Sequence, residues 1–163
     1  MTAIAIRPAT PDDLEAIVAV ILPIQQEEFG IPITREAQPD LLRISEFYQV
    51  RAGNFWVAEA AGNIVGTIGL LDIGNGEGAL RKMFVSAPWR GPEFRIAQRL
   101  LGQLLSWART KALRRIYLGT TDRFLAAHRF YEKHGFSLIA KQDLPDTFPV
   151  MTVDTRFYAL DLG

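Results

Sequence analysis

Two arginines five residues apart, Arg90 and Arg95, bracket a Gly91-Pro92 pair within LRKMFVSAPWRGPEFRIAQRLLGQLLSWA, residues 80–108. An arginine fork donates two hydrogen bonds at once, which suits a phosphate. The flanking residues extend that chemistry. Met83, Phe84 and Val85 read as a short buried strand, stopped by Pro88, Gly91 and Pro92. Ala97, Leu100, Leu101, Leu104, Leu105 and Ala108 then recur on one face of a helix that must pack on a sheet. A strand-loop-helix unit leaves the N–H groups of the first helical turn without partners and sets the positive end of the helix dipole behind them, so an anion fits there. A crossover whose Arg-rich loop is merely solvated accounts for the same residues.

Other chemistries are excluded by composition. The chain has no cysteine, which removes disulfides, thiolate metal sites and a cysteine nucleophile. His128 and His134 lack the i, i+4 spacing of a helical metal site, so no metal is expected. Gly74-Asn75-Gly76-Glu77-Gly78 has no Lys-Ser/Thr after it and reads as a hairpin turn. The first residues, MTAIAIRPAT, carry no leader pattern, and no run approaches the roughly 20 apolar residues of a spanning helix. The expectation is a cytoplasmic protein of one domain, residues 1–163, with no membrane partner.

Net charge is zero, yet it is unevenly spread. Residues 81–133 carry twelve Lys/Arg against three acids, a net of +9, and the remainder six against fifteen, a net of −9. That pattern fits a polyanionic ligand on the basic side and a cationic one attracted to the acidic side. Trp89, Trp107 and Tyr117 lie in the basic half, but Trp107 falls in a helix and the basic residues are scattered over several elements, which argues against nucleic acid.

The elements that must position these groups follow in order. Ala3 to Arg7 reads as a strand, and Thr10-Pro11-Asp12-Asp13 as a helix start with Leu14, Ile17, Val18 and Ile21 inward. Pro23 should bend or divide that helix, opening a groove beside Gln25, Gln26, Glu27 and Glu28. Pro39 starts a helix with Leu41, Leu42 and Ile44 inward, ending near Gly53. Phe55 to Ala60 and Ile64 to Leu71 form a hairpin turning at Ala61-Gly62-Asn63. Beyond the central unit, Arg115 to Gly119 is a strand and Asp122 to His134 a helix with Ala127, Phe130 and Tyr131 on one face. Phe136 to Ala140 and Val150 to Leu160 are strands. This order predicts an α/β fold with a mixed sheet.

The segment AAHRFYEKHGF, residues 126–136, closely resembles motif B of the Gcn5-related N-acetyltransferase (GNAT) superfamily, whose helix ends in Phe-Tyr-Glu-Lys-x-Gly-Phe. LRKMFV, then RG, then IAQRLL resembles its motif A, the strand, pyrophosphate loop and helix that hold acetyl-coenzyme A. Arg95 stands where the family prefers glycine, the Arg90-Gly91 pair needs a two-residue insertion, and Ala97 takes the last Gly/Ala position. The tail LPDTFPVMTVDTRFYALDL is similar to a subgroup also found fused to MarR-like regulators. The resemblance runs from Ile6 to about Leu162. It implies a mostly antiparallel mixed sheet of about six to seven strands with about four flanking helices.

The resemblance also implies a function: transfer of the acetyl group of acetyl-coenzyme A to a primary amine by direct attack in a ternary complex. Two strands would part at a bulge, and Met83, Phe84 and Val85 would line the cofactor's arm and supply an N–H to the carbonyl oxygen. Arg90, Gly91, Arg95, Ile96 and Ala97 would hold the pyrophosphate. Phe124 occupies a position where the family often has an asparagine that touches the cofactor. Tyr131 would protonate the leaving thiolate. Glu77 is the first choice for the base, through water, with Glu28 and Asp72 behind it. The partners are then acetyl-coenzyme A and a small amine, with a homodimer admitted. A non-catalytic acyl-coenzyme A sensor or interaction module on the same fold is the alternative.

Overall fold

A computed structural model describes residues 3–122 and 125–163 of the chain. Its strands are β1 (Ile4–Pro8), β2 (Asn54–Ala60), β3 (Asn63–Gly74), β4 (Glu77–Val85), β5 (Arg115–Thr120), β6 (Ser137–Ile139) and β7 (Arg156–Asp161). The α-helices are α1 (Leu14–Pro23), α2 (Pro39–Leu42), α3 (Ile44–Phe47), α4 (Ile96–Thr110) and α5 (Leu125–Lys133). The strands form one sheet in the order β1-β2-β3-β4-β5-β7-β6. Every neighbouring pair is antiparallel except β4 with β5. A mixed, mostly antiparallel sheet with flanking helices is what the sequence led us to expect.

The alternation of β2 separates two cores, because successive side chains of a strand leave opposite faces. Trp56, Ala58 and Ala60 join Leu100, Leu101 and Leu104 of α4, together with Tyr131 and Phe136. Phe55 and Val57 join Ile17 and Ile21 of α1, with Leu41 and Tyr48. Thus α1 lies on one face, and α4 and α5 on the other. The close seat of α4 depends on Gly66, where a Cβ would come within 3.1 Å of Ile96 and Leu100.

The first helix begins as its sequence requires. Thr10 caps it with Pro11 in the first turn, and the backbone N–H of Thr10 donates to the Asp13 carboxylate at 2.8 Å. The Arg7 fork closes on the same carboxylate at 2.8 and 2.9 Å. At the other end, Pro23 has no N–H to give and the helix loosens into a π-helical turn, Ile24–Glu28.

Two expectations are corrected. The helix expected from Pro39 toward Gly53 breaks at Arg43 (φ −138°) into α2 and α3, and Leu42 is left exposed. Buried Tyr48 donates its hydroxyl to Asp40 at 2.6 Å. Residues eight apart in a straight helix stand about 12 Å along the axis, so the bond requires the break. The final strand is also shorter than Val150 to Leu160, because residues 150–155 form a turn in which the Asp154 carboxylate accepts the Met151 N–H at 3.0 Å. An aspartate that bonds nearby backbone competes with strand pairing.

Candidate active site

The one parallel pair of the sheet is a short seam. β4 meets β5 only at Glu77 with Arg115, Gly78 with Ile116 and Ala79 with Tyr117. Beyond Ala79 the strands part, and a cleft of about 450 Å³ opens between Leu80–Val85 and Leu118–Thr120. A bulge helps to turn β4 away. Phe84 pairs with Thr67 and Arg81 with Gly69, so Lys82 and Met83 together face Ile68. Lys82 takes φ +56°, in the left-handed region. Its carbonyl, pulled from the ladder, accepts the Thr67 hydroxyl at 2.7 Å. Thr67 is fully buried, so this bond is the bulge's internal brace.

Tyr131 closes the cleft from α5, its hydroxyl aimed at Met83 Sδ 3.7 Å away. Burial pushes the phenol well above its ordinary value, because a phenolate would be desolvated there. The group therefore keeps its proton at neutral pH and can give it to a stronger base. On β5, the Thr120 Oγ1 is buried without a hydrogen-bond partner among the described residues. A polar atom in that condition costs free energy.

A second hollow, about 460 Å³, adjoins the first and shares Val85 and Arg90 with it. Gly91, Arg95, Ile96, Ala97 and Gln98 line it with Lys133 and His134, and no acidic side chain does among the described residues. The start of α4 thus faces a basic hollow, an arrangement that suits a polyanion. Arg95 is its N-cap residue at φ +52°, a conformation that favours glycine. Arg90 spans the two hollows: its Nε donates to the Val85 carbonyl at 2.7 Å and its fork grips Glu28 at 2.7 and 2.9 Å. Phe124 lies outside the described residues.

The structure brings together Met83, Phe84, Val85, Arg90 and Tyr131 around the first cleft, and Gly91, Arg95, Ile96 and Ala97 around the second. It does not bring Glu77. That carboxylate sits where β4 and β5 are still paired, buried, accepting the Tyr117 hydroxyl at 3.1 Å with Arg114 at 3.7 Å. The expected base is thus shut in at the closed end of the seam. Asp72 is likewise engaged, by the Ala52 and Gly74 N–H groups at 3.1 and 2.8 Å. His128 bonds the Thr121 carbonyl at 2.9 Å and His134 stacks on Phe130.

Four charged side chains that sequence reasoning passed over gather at the cleft. Arg81 and Lys82 line it, 13% and 7% exposed in their side chains. Asp40 stands behind them, 4.0 and 3.8 Å away. Asp154 lies against β5, where a Cβ on Gly119 would come within 2.6 Å of Oδ2. The available signal was the Arg81-Lys82 pair inside an otherwise apolar strand, since neighbouring strand residues point to opposite faces and both cannot be simply solvated. Asp154 offered none, because its loop read as strand.

Comparison with known proteins bears on this geometry. The sequence model of the acetyltransferase (GNAT) family matches residues 18–136. An acetyltransferase of the same family from Staphylococcus aureus Mu50 superimposes with a TM-score of 0.95 at 41% identity, over 99% of this chain and 100% of that one. N-acetylaspartate synthetase of Xenopus tropicalis is 37% identical over 101 residues, 60% of this chain and 36% of that protein. The fold of an N-acetylglutamate synthase from Neisseria gonorrhoeae, solved with coenzyme A and N-acetyl-glutamate, matches with a TM-score of 0.76 at 20% identity, over 100% of this chain and 36% of that one. The chain spans between about a third and three-fifths of the length of the first curated relatives it matches, 36% and 60% in two of them.

Proposed function

Because the chain belongs to the acetyltransferase (GNAT) family, we propose that it moves the acetyl group of acetyl-coenzyme A to the primary amine of a small molecule or protein, within one acetyltransferase domain. The observation that carries this reading is the parting of β4 and β5 beneath the protonated Tyr131 hydroxyl. The residues fit the cosubstrate. Met83, Phe84 and Val85 line the cleft, and Arg95, Lys133 and His134 line the hollow at the start of α4, which suits phosphates.

In this reading the backbone of Met83 to Val85, freed by the bulge, holds the thioester arm and offers an N–H to the carbonyl oxygen as charge develops there. The amine nitrogen's lone pair makes the new C–N bond as the C–S bond breaks. Tyr131 gives its proton to the departing sulfur and recovers one from the nitrogen, so proton and charge balance at the end of the cycle. A relative named N-acetylaspartate synthetase supports a small amine as acceptor.

Two measurements test the proposal. Millimolar coenzyme A should raise the melting temperature, since a ligand bound only by the native state stabilises it by mass action. Thiol release from acetyl-coenzyme A over a panel of primary amines should then find turnover. No thermal shift would overturn the reading. A shift without thiol release from any amine would leave an acyl-coenzyme A sensor in its place.

A further inference from the structure

Arg81 and Asp154 both line the cleft, and neither is matched by a close ion pair of its own. The Arg81 guanidinium donates to the Met151 thioether at 3.4 Å, and its carboxylate neighbour, Asp40, is 4.0 Å away. Sulfur is a weak acceptor, and Asp40 is already engaged. It accepts the Tyr48 hydroxyl at 2.6 Å and lies 3.8 Å from Lys82 Nζ. Lys82 in turn donates to Gln38 at 2.5 Å, and Gln38 exchanges hydrogen bonds with Gln25 at 3.1 and 2.9 Å. Those residues form a closed network. Arg81 is the cation held least closely there, over the Phe47 ring at 5.7 Å and with a side chain only 13% exposed.

Asp154 is its counterpart. Its carboxylate accepts the Met151 N–H at 3.0 Å, and burial raises its carboxyl above the ordinary value while Arg81 and Lys82 pull it back. It lies in the turn before β7, against Gly119 of β5, and Arg81 and Lys82 of β4 line the same cleft. Opposite charges of this kind, partly desolvated and lining one cleft, are complementary to a small molecule that carries both signs close together. The wall around them is apolar, with Ile31, Ile33, Phe148 and Met151 contributing.

We propose that the acceptor is an amino acid with an apolar side chain, its carboxylate held by Arg81 and its ammonium by Asp154. The inference rests on the acetyl-transfer reading above and names the acceptor class for that site. Asp154 takes one proton from the ammonium, and the freed nitrogen lone pair attacks the thioester carbon. The C–N bond forms, the C–S bond breaks, and the sulfur takes the Tyr131 proton. The second proton of the nitrogen restores Tyr131, and Asp154 returns its own to water.

The test sets the common L-amino acids against their α-carboxamides, by thiol release from acetyl-coenzyme A. The carboxamides lose the ammonium proton more readily, so the comparison is biased against the proposal. The best amino acid should exceed its carboxamide in kcat/KM by roughly 10- to 100-fold, the worth of a charge-assisted hydrogen bond. Arg81→Gln should bring the ratio close to unity, and Arg81→Lys should keep part of it, since an ammonium is a weaker match to a carboxylate than the fork. Asp154→Asn should lower kcat/KM for amino acids by about 10²-fold or more. A coenzyme A thermal shift equal to that of the wild type shows that each variant is folded. A carboxamide used as well as its acid, or an unchanged ratio in Arg81→Gln, overturns the inference while acetyl transfer stands. Thermal stabilisation by coenzyme A with no thiol release from any amine overturns both.

Discussion

At the scale of single residues, Tyr131 and Arg95 make different demands on the same site. Tyr131→Phe keeps the ring's packing against Phe136 and Tyr158 and removes only the hydroxyl. It should lower kcat by about 10²–10⁴-fold, the usual worth of general acid assistance, with the coenzyme A dissociation constant little changed. A kcat within a small factor of wild type would reduce Tyr131 to a packing residue. Arg95 sits at φ +52°, which costs a non-glycine residue about 1–2 kcal/mol. Arg95→Gly should therefore relieve the backbone, offset by about 0.5–1 kcal/mol of added chain entropy, and leave stability nearly level. Cofactor affinity should fall by about 1.5–3 kcal/mol if the guanidinium meets a phosphate; titration calorimetry separates the two effects. The place of Tyr131 beside the cleft was legible because a seven-residue string surrounds it. That Glu77 is buried on the paired stretch of β4 was not legible, because distance along a strand says nothing about where its neighbour diverges. Arg81 and Asp154 were not legible as a pair, since 73 positions of chain separate them and only the fold sets them across one cleft.

At the scale of elements, the bulge in β4 depends on a partner in β3. Thr67→Val keeps the side chain's shape and leaves the Lys82 carbonyl buried without its 2.7 Å bond. The expected cost is about 1–3 kcal/mol in a urea titration with an unchanged slope, and kcat should fall with it as the strand relaxes toward a regular ladder. The start of α1 gives a pH-dependent prediction. The Arg7 fork, helped by the Thr10 N–H, holds the Asp13 carboxyl below its ordinary 3.8. A depressed acid stabilises fully above its unfolded value, and that contribution is lost as pH falls through the lower folded value. Asp13→Asn should be less stable than wild type by about 1 kcal/mol at neutral pH, and the two unfolding midpoints should converge as the pH drops below 3.8. The periodicity of α4, the cap at Thr10 and both hairpin turns were readable because each is a local pattern. The break between α2 and α3 was not, because it answers to a hydrogen bond between Asp40 and Tyr48 and to the network reaching β4. Nor was the bulge, whose cause lies on the strand beside it.

At the scale of the whole molecule, the charge asymmetry read from the sequence has a place in three dimensions. The basic segment contains β4, α4, β5 and α5, the elements whose residues line both hollows, so the field draws anions toward the opening between them. That opening has a cost to a protein with nothing bound. From Leu80 onward β4, and from Leu118 onward β5, pair on their outer sides only. In the middle of a seven-stranded sheet the chain thus exposes two strand edges, the feature that most other folds cap or cover because it templates pairing with a second chain. Phosphopantetheine would act as a missing strand. A cofactor-free preparation should accordingly self-associate on warming, seen as a rise in light scattering below the melting temperature. Coenzyme A should suppress that rise in proportion to the fraction of sites filled, and Arg81 should play no part in it.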